Sequence, residues 1–277
     1  MPSLDVRSLD RVLSIAGAAE ASDGLAPLDE ATLLTLRHHP DRVRGRVRDD
    51  GFALVVGPEL SLVVAPDARG RGRGRSLLEE TLADDVPSPL LAWSHGDHPA
   101  AARLAATSGF ERVRELWVMR RPTSLPLDDL VVPADLEVRG FRPGDEEELL
   151  RVNAAAFAAH PEQGSMDAGN LAERMEEPWF DPAGLLVATD GERLLGFHWT
   201  KQHSGTLGEV YVVGIDPAAQ GRGLGRLLTL AGLRHLADRG VEQVLLYTES
   251  DNAPAIALYS RLGFTHDAAD THVMYRR

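Results

Sequence analysis

Glu209–Ile215 is a strongly β-prone, mostly apolar run that Pro217 stops. The spacing then switches, and Leu224, Leu227, Leu228, Ala231 and His235 recur at helical intervals before Gly240. Similar reasoning predicts strands over Leu136–Phe141, Gly184–Ala188, Arg193–Lys201, Val244–Tyr247 and His272–Tyr275. It predicts helices over Gly144–Ala158, with Leu149, Leu150, Val152 and Ala156 as its apolar positions, and over Pro254–Leu262, closed by Gly263. Strands interleaved with helices imply an α/β class with a mixed sheet.

The pattern occurs twice. Leu60–Arg75 and Tyr211–Arg226 each run from a strand through a proline into three alternating glycines, with Pro66 and Pro217, and Gly74 and Gly225, 151 positions apart. Ser108-Gly109-Phe110 and Leu262-Gly263-Phe264 lie 154 apart, and Asp97 falls opposite Asp251 at that spacing. Matching order and spacing predict two tandem copies of one fold, 1–121 and 136–277, joined by a linker over 122–135 in which Pro122, Pro126 and Pro133 break periodicity.

Composition narrows the chemistry. A length of 277 residues suits two domains at about 150 each, and 43% hydrophobic residues can build a sizeable core. The net charge of −13 disfavours a nucleic-acid partner or an anionic membrane. With no cysteine, the chain forms no disulfide, thiolate metal site or acyl-cysteine intermediate. Met1–Asp10 lacks the basic-then-apolar layout of a secretory signal, and no apolar run approaches the roughly 20 residues that span a bilayer. A cytoplasmic protein is expected. His38, His39, His95, His98, His160, His198 and His203 show no metal-ligand spacing, so no metal is expected and these histidines receive no chemistry. Lys201 is the single lysine, a candidate for a role that arginine cannot fill.

Gly221, Gly223 and Gly225 stand between a strand and an amphipathic helix, where backbone N–H groups converge on a phosphate with the positive helix end behind them. A Walker loop would need Gly-Lys-Ser/Thr where Gly225-Arg226-Leu227 stands, and a dinucleotide fingerprint would place its last glycine one residue later. Both fail on these grounds. The combination of Gln220-Gly221-Arg222-Gly223-Leu224-Gly225-Arg226 with Asn252-Ala253-Pro254-Ala255-Ile256-Ala257 and Tyr259 resembles the acyl-CoA signature of the GNAT N-acetyltransferase superfamily, strongly over 208–264 and more weakly over 60–110. Gly196–Lys201, Gly208–Pro217, Leu246–Asn252 and His160–Gly164, with the tandem layout, are similar to a branch of that superfamily. That branch acetylates the cysteinyl amine of Cys-GlcN-Ins in the last step of mycothiol biosynthesis.

The resemblance implies two GNAT-like domains, each a mixed, mostly antiparallel sheet flanked by helices. It implies acetyl-CoA as co-substrate, held by the residues of the two motifs just quoted together with Val213, Gly214 and Ile215. Acetyl transfer to an amine needs a neutral nucleophile, oxyanion stabilisation and a proton for the departing thiolate. Glu209, on the strand feeding the loop, is the candidate base. The resemblance makes Tyr259 the general acid and places oxyanion donors near Val213. It assigns acceptor contacts to Glu30, Glu162, Lys201, Glu209 and Tyr247. In the first copy Ala105 stands where Tyr259 would repeat and Pro58 where Glu209 would, so no catalysis is expected there. That copy keeps Leu62, Val63, Val64, Gly70, Arg71, Gly72, Arg73, Gly74 and Arg75, and with them a second acetyl-CoA site is expected. A monomer is expected. Competing readings are an acetyltransferase for another amine, such as an aminoglycoside or protein N-terminus, and a non-enzymatic acetyl-CoA sensor.

Overall fold

The computed structural model describes residues 6–158 and 163–277, which divide into two compact units. The first holds the described chain up to Trp117 together with Asp267–Arg277; the second is Val118–His266. In chain order the elements of the first half are α1 (Val6–Asp23), α2 (Glu30–His38), β1 (Val43–Arg48), β2 (Gly51–Val56), β3 (Glu59–Val64), α3 (Arg73–Leu82), β4 (Leu91–Ser94), α4 (Pro99–Thr107) and β5 (Glu111–Pro122). Those of the second half are β6 (Glu137–Gly140), α5 (Glu146–Ala156), α6 (Ala168–Met175), β7 (Leu185–Thr189), β8 (Leu194–Gln202), β9 (Leu207–Ile215), α7 (Leu224–Asp238), β10 (Gln243–Glu249), α8 (Ala253–Arg261) and β11 (Thr265–Arg276).

Both units carry the expected mixed sheet flanked by helices. In the first, β1, β2 and β3 form an antiparallel meander, β4 joins β3 in parallel, and β11 pairs antiparallel with β4. In the second, β6, β7, β8 and β9 are successive antiparallel neighbours, β10 joins β9 in parallel, and the end of β5 lies beyond β10. The repeat places all of 136–277 in one half, whereas by contact its last eleven residues sit with the first unit. Val273 and Tyr275 are buried with Ala53, Val55, Leu60, Leu90, Ala105 and Phe110.

The strands expected in the second half all form, and α6 is an element that the periodicity did not predict. Asp167 caps it by accepting from the Asn170 N–H at 2.8 Å, but Leu171 is its one fully buried residue, too thin an apolar stripe to stand out. On one face of the second sheet, Leu149, Val152, Phe197 and Trp199 build the core. On the other, α7 buries nine of its fifteen residues. The connector is anchored by Arg121, which is buried and donates to the carbonyl oxygens of Leu262 at 2.7 Å, Leu125 at 2.7 Å, Pro122 at 3.0 Å and Pro126 at 3.0 Å.

His198 is fully buried beneath α7, its Nδ1 2.8 Å from the Leu228 carbonyl, and desolvation pushes its pKa down to about 4. Because the folded value lies below the ordinary 6.5, this side chain contributes stability above pH 6.5 that is lost as pH falls towards 4. At ~1.36 kcal/mol per pH unit the loss approaches ~3 kcal/mol. Thermal melts between these pH values are expected to decline more steeply for the native chain than for His198→Gln; parallel profiles would contradict this.

Candidate active site

The register of β9 with β10 runs from Leu207/Gln243 to Val210/Leu246 and ends there, although β9 continues to Ile215 and β10 to Glu249. At the same point the pairing of β9 with β8 shifts, Trp199 facing Val212 and Thr200 facing Val210, which leaves Tyr211 as a bulge. The strands therefore part where the bulge re-aims the chain. The Asp216 N–H donates to the Leu195 carbonyl at 2.9 Å, and Phe197 faces Gly214 in the same register. By alternation, the N–H groups of Val213 and Ile215 point away from β8, to the side that β10 has left. These are usable oxyanion donors.

Beyond β9 a single 3-10 turn over Pro217–Ala219 leads through extended Gln220 into the glycine loop. Gly221 and Gly223 lie in the left-handed region at φ 79° and 76°, and α7 begins at Leu224 with no side-chain cap. This leaves the first-turn N–H groups of Leu224, Gly225 and Arg226 open to an anion. The two loop arginines are paired with carboxylates: Arg222 Nη2 lies 2.8 Å from Asp135 Oδ2, and Arg226 contacts Asp128. Backbone N–H groups rather than free arginine charge are thus what this loop leaves open. Asn252 spends its side chain as the cap of α8, accepting from the Ala255 N–H at 3.2 Å, while Ala253, Pro254, Ala255, Ile256 and Ala257 form the helix's first turns.

Glu209 is buried on β9, directly opposite Lys201 on β8. Its Oε2 lies 2.7 Å from His203 Nε2. Lys201 Nζ sits 4.5 Å from the Trp179 ring centre and 5.2 Å from that of Tyr211, a cation between two aromatic faces. Arg174 on α6 donates to the Tyr211 hydroxyl, which ties that helix to the bulge. Tyr259 on α8 is partly buried, with its ring edge-on to Phe264 at 5.8 Å, and desolvation raises its pKa to about 12. It is therefore a protonated phenol at neutral pH, the form a general acid requires.

Tyr247 is exposed on β10, Glu30 opens α2 in the first unit beside its cap Asp29, and Glu162 lies outside the described residues. Residues that sequence reasoning did not assign are His203, Trp179, Tyr211 and Arg174. His203 carried a signal, since a hairpin turn over Ser204–Thr206 makes it the diagonal neighbour of Glu209 on one sheet face.

The first unit repeats the scaffold without the reactive pair. Gly70 and Gly72 take φ 74° and 76° after a 3-10 turn over Pro66–Ala68, nearly the angles of Gly221 and Gly223. The β3/β4 register covers Glu59/Leu91 and Leu60/Ala92 and then stops. A cavity of about 700 Å³ opens there, lined by Leu62, Val63, Val64, Gly70, Gly72, Arg73, Gly74 and Arg75 on the loop side and by Ala105 further in. Arg71 is not part of its lining. Among the described residues no cluster has the make-up of a metal site.

A strand wedge, a glycine loop at a helix start, a buried carboxylate and a protonated phenol define the class, an acetyl-CoA-dependent acyltransferase. Residues 152–264 match the Acetyltransferase (GNAT) family. A tandem GNAT protein from the clavulanic acid biosynthesis pathway shares the fold at a TM-score of 0.71 and 21% identity, over 100% of this chain and 96% of that one. A GCN5-related N-acetyltransferase from Sphaerobacter thermophilus does so at 0.67 and 22%, over 99% and 94%. The chain is 66% identical to a mycothiol acetyltransferase of Nocardioides sp. over 97% of both chains. It is 50% identical to one of Thermomonospora curvata, over 97% of this chain and 93% of that relative. The chain belongs to the mycothiol acetyltransferase family.

Proposed function

We propose that the protein transfers acetyl from acetyl-CoA to the free cysteinyl amine of Cys-GlcN-Ins, completing mycothiol. Identity of 66% to a mycothiol acetyltransferase over nearly the whole chain carries this reading. Glu209 takes a proton from the acceptor ammonium, and the freed amine attacks the thioester carbonyl. The Val213 N–H stabilises the oxyanion, Tyr259 protonates the departing thiolate, and the second proton lost by the acylated nitrogen restores the Tyr259 phenol. Lys201, Tyr247, Glu30 and Glu162 satisfy the polar acceptor once its water is stripped, since unpaired hydroxyls would be costly to bury. Val213–Ile215, the Gln220–Arg226 loop and the start of α8 hold acetyl-CoA.

The first unit's loop and cavity bind a second acetyl-CoA without turnover, and the enzyme works as a cytoplasmic monomer. Among the described residues, no helix is long and apolar enough to cross a membrane. Turnover of Cys-GlcN-Ins should exceed that of an aminoglycoside or a peptide N-terminus by orders of magnitude in parallel assays. Equal use of the unrelated amines would reject the assignment. Gly223→Val forces a β-branched side chain onto a φ of 76°. It is expected to raise the KM for acetyl-CoA about tenfold, the worth of one charge-assisted hydrogen bond; an unchanged KM would remove the loop from binding.

A further inference from the structure

A buried carboxylate that collects a proton on every turnover must also release it. The Glu209 side chain is 7% exposed and its register partner on β10 is Leu245, so neither bulk water nor that neighbouring strand offers an obvious acceptor. His203 fills the gap: its Nε2 lies 2.7 Å from Glu209 Oε2, and its side chain is 35% exposed at the mouth of the β8–β9 hairpin. Imidazole has one nitrogen for the carboxyl and a second for solvent, so the ring can take a proton at one edge while giving one up at the other.

We infer that His203 is a positioning and proton-relay residue that acts through Glu209, orienting the carboxylate and carrying the acceptor's proton to water. This rests on the reading of Glu209 as base. The ammonium N–H bond breaks as a Glu209 O–H bond forms. With imidazole as the Nδ1–H tautomer, the carboxyl proton then passes to Nε2 while the Nδ1 proton leaves to solvent, and the ring returns to its starting tautomer by exchange with water. One proton leaves the amine and one enters solvent. Lys201, opposite Glu209, and Arg174 of α6, held through Tyr211, are the other charged groups placed around this face.

The test compares His203→Gln, which keeps a hydrogen bond to Glu209 but cannot ferry a proton, with His203→Ala and Glu209→Gln, all as full chains with melts recorded. Both His203 variants are expected to lose about tenfold or more in kcat, with the KM for acetyl-CoA unchanged. Added imidazole should restore the Ala variant but not Glu209→Gln. Wild-type kcat for His203→Gln across pH 6 to 9, or losses that imidazole leaves uncorrected, would overturn the relay. Wild-type turnover by Glu209→Gln would instead overturn the base assignment beneath it, so the two failures are separable.

Discussion

Glu209→Gln is expected to lower kcat by about 10²–10⁴-fold, the usual contribution of a general base, while leaving the KM for acetyl-CoA little changed. The substitution preserves shape and one hydrogen-bond acceptor at a site that is 6% exposed, so the loss reports proton transfer rather than packing. Tyr259→Phe should give a loss of similar size. Its phenol is raised to about 12 by burial, so it stays protonated at working pH, and its ionisation should produce no fall in rate until well above pH 10. Removing both groups should cost less than the product of the single losses, because an attack with no base no longer benefits fully from a better leaving group. Loss of thioester absorbance with Cys-GlcN-Ins as acceptor measures all three variants. A Tyr259→Phe enzyme at full speed would mean that the thiolate departs unprotonated or takes its proton from water.

Much of this site could be read before any geometry, because it is encoded in short, local patterns. Alternate glycines after a β-prone run forced a tight loop, and both loops adopt it to within a few degrees of φ, at Gly70 and Gly221 and at Gly72 and Gly223. Glu209 was recognisable as a carboxylate on the strand that feeds such a loop. His203 has no such mark, since a lone histidine has no periodicity; only the hairpin register brings it beside Glu209. Trp179 and Arg174 lie still further away in sequence and meet Lys201 and Tyr211 through packing that no local pattern marks. The Pro58 and Ala105 positions, by contrast, told from sequence alone that the first copy lacks the reactive pair.

Repeats also conceal which copy a strand joins. β5 and β11 each follow the Gly-Phe landmark of their own copy, so by internal similarity each closes its own sheet. Contacts assign Asp267–Arg277 to the first unit and Val118–Pro122 to the second, a choice made by pairing with a strand of the other repeat. Alternation within a strand selects a sheet face but not a neighbour.

Ending the chain at His266 is therefore expected to unfold the first unit, although the residues removed belong to the second repeat. Val273, Met274 and Tyr275 are each no more than 7% exposed, and burial of such side chains contributes about 1.5–3 kcal/mol apiece. The register from Val273/Ser94 to Arg276/Leu91 is lost as well, together with the reciprocal 2.9 Å bonds between Leu90 and Arg277. The total is comparable to the 5–15 kcal/mol that stabilises a typical domain. Amide hydrogen exchange should show β4 and its neighbours unprotected in the truncated chain, and the cavity bounded by Ala269 and Tyr275 should lose that wall. Tyr275→Ala offers a graded version, costing ~3–5 kcal/mol by analogy with other large aromatic truncations while leaving the backbone pairing intact. A truncated chain with native protection along β4 would show that this edge is satisfied without its partner and that the last strand is dispensable to the first unit.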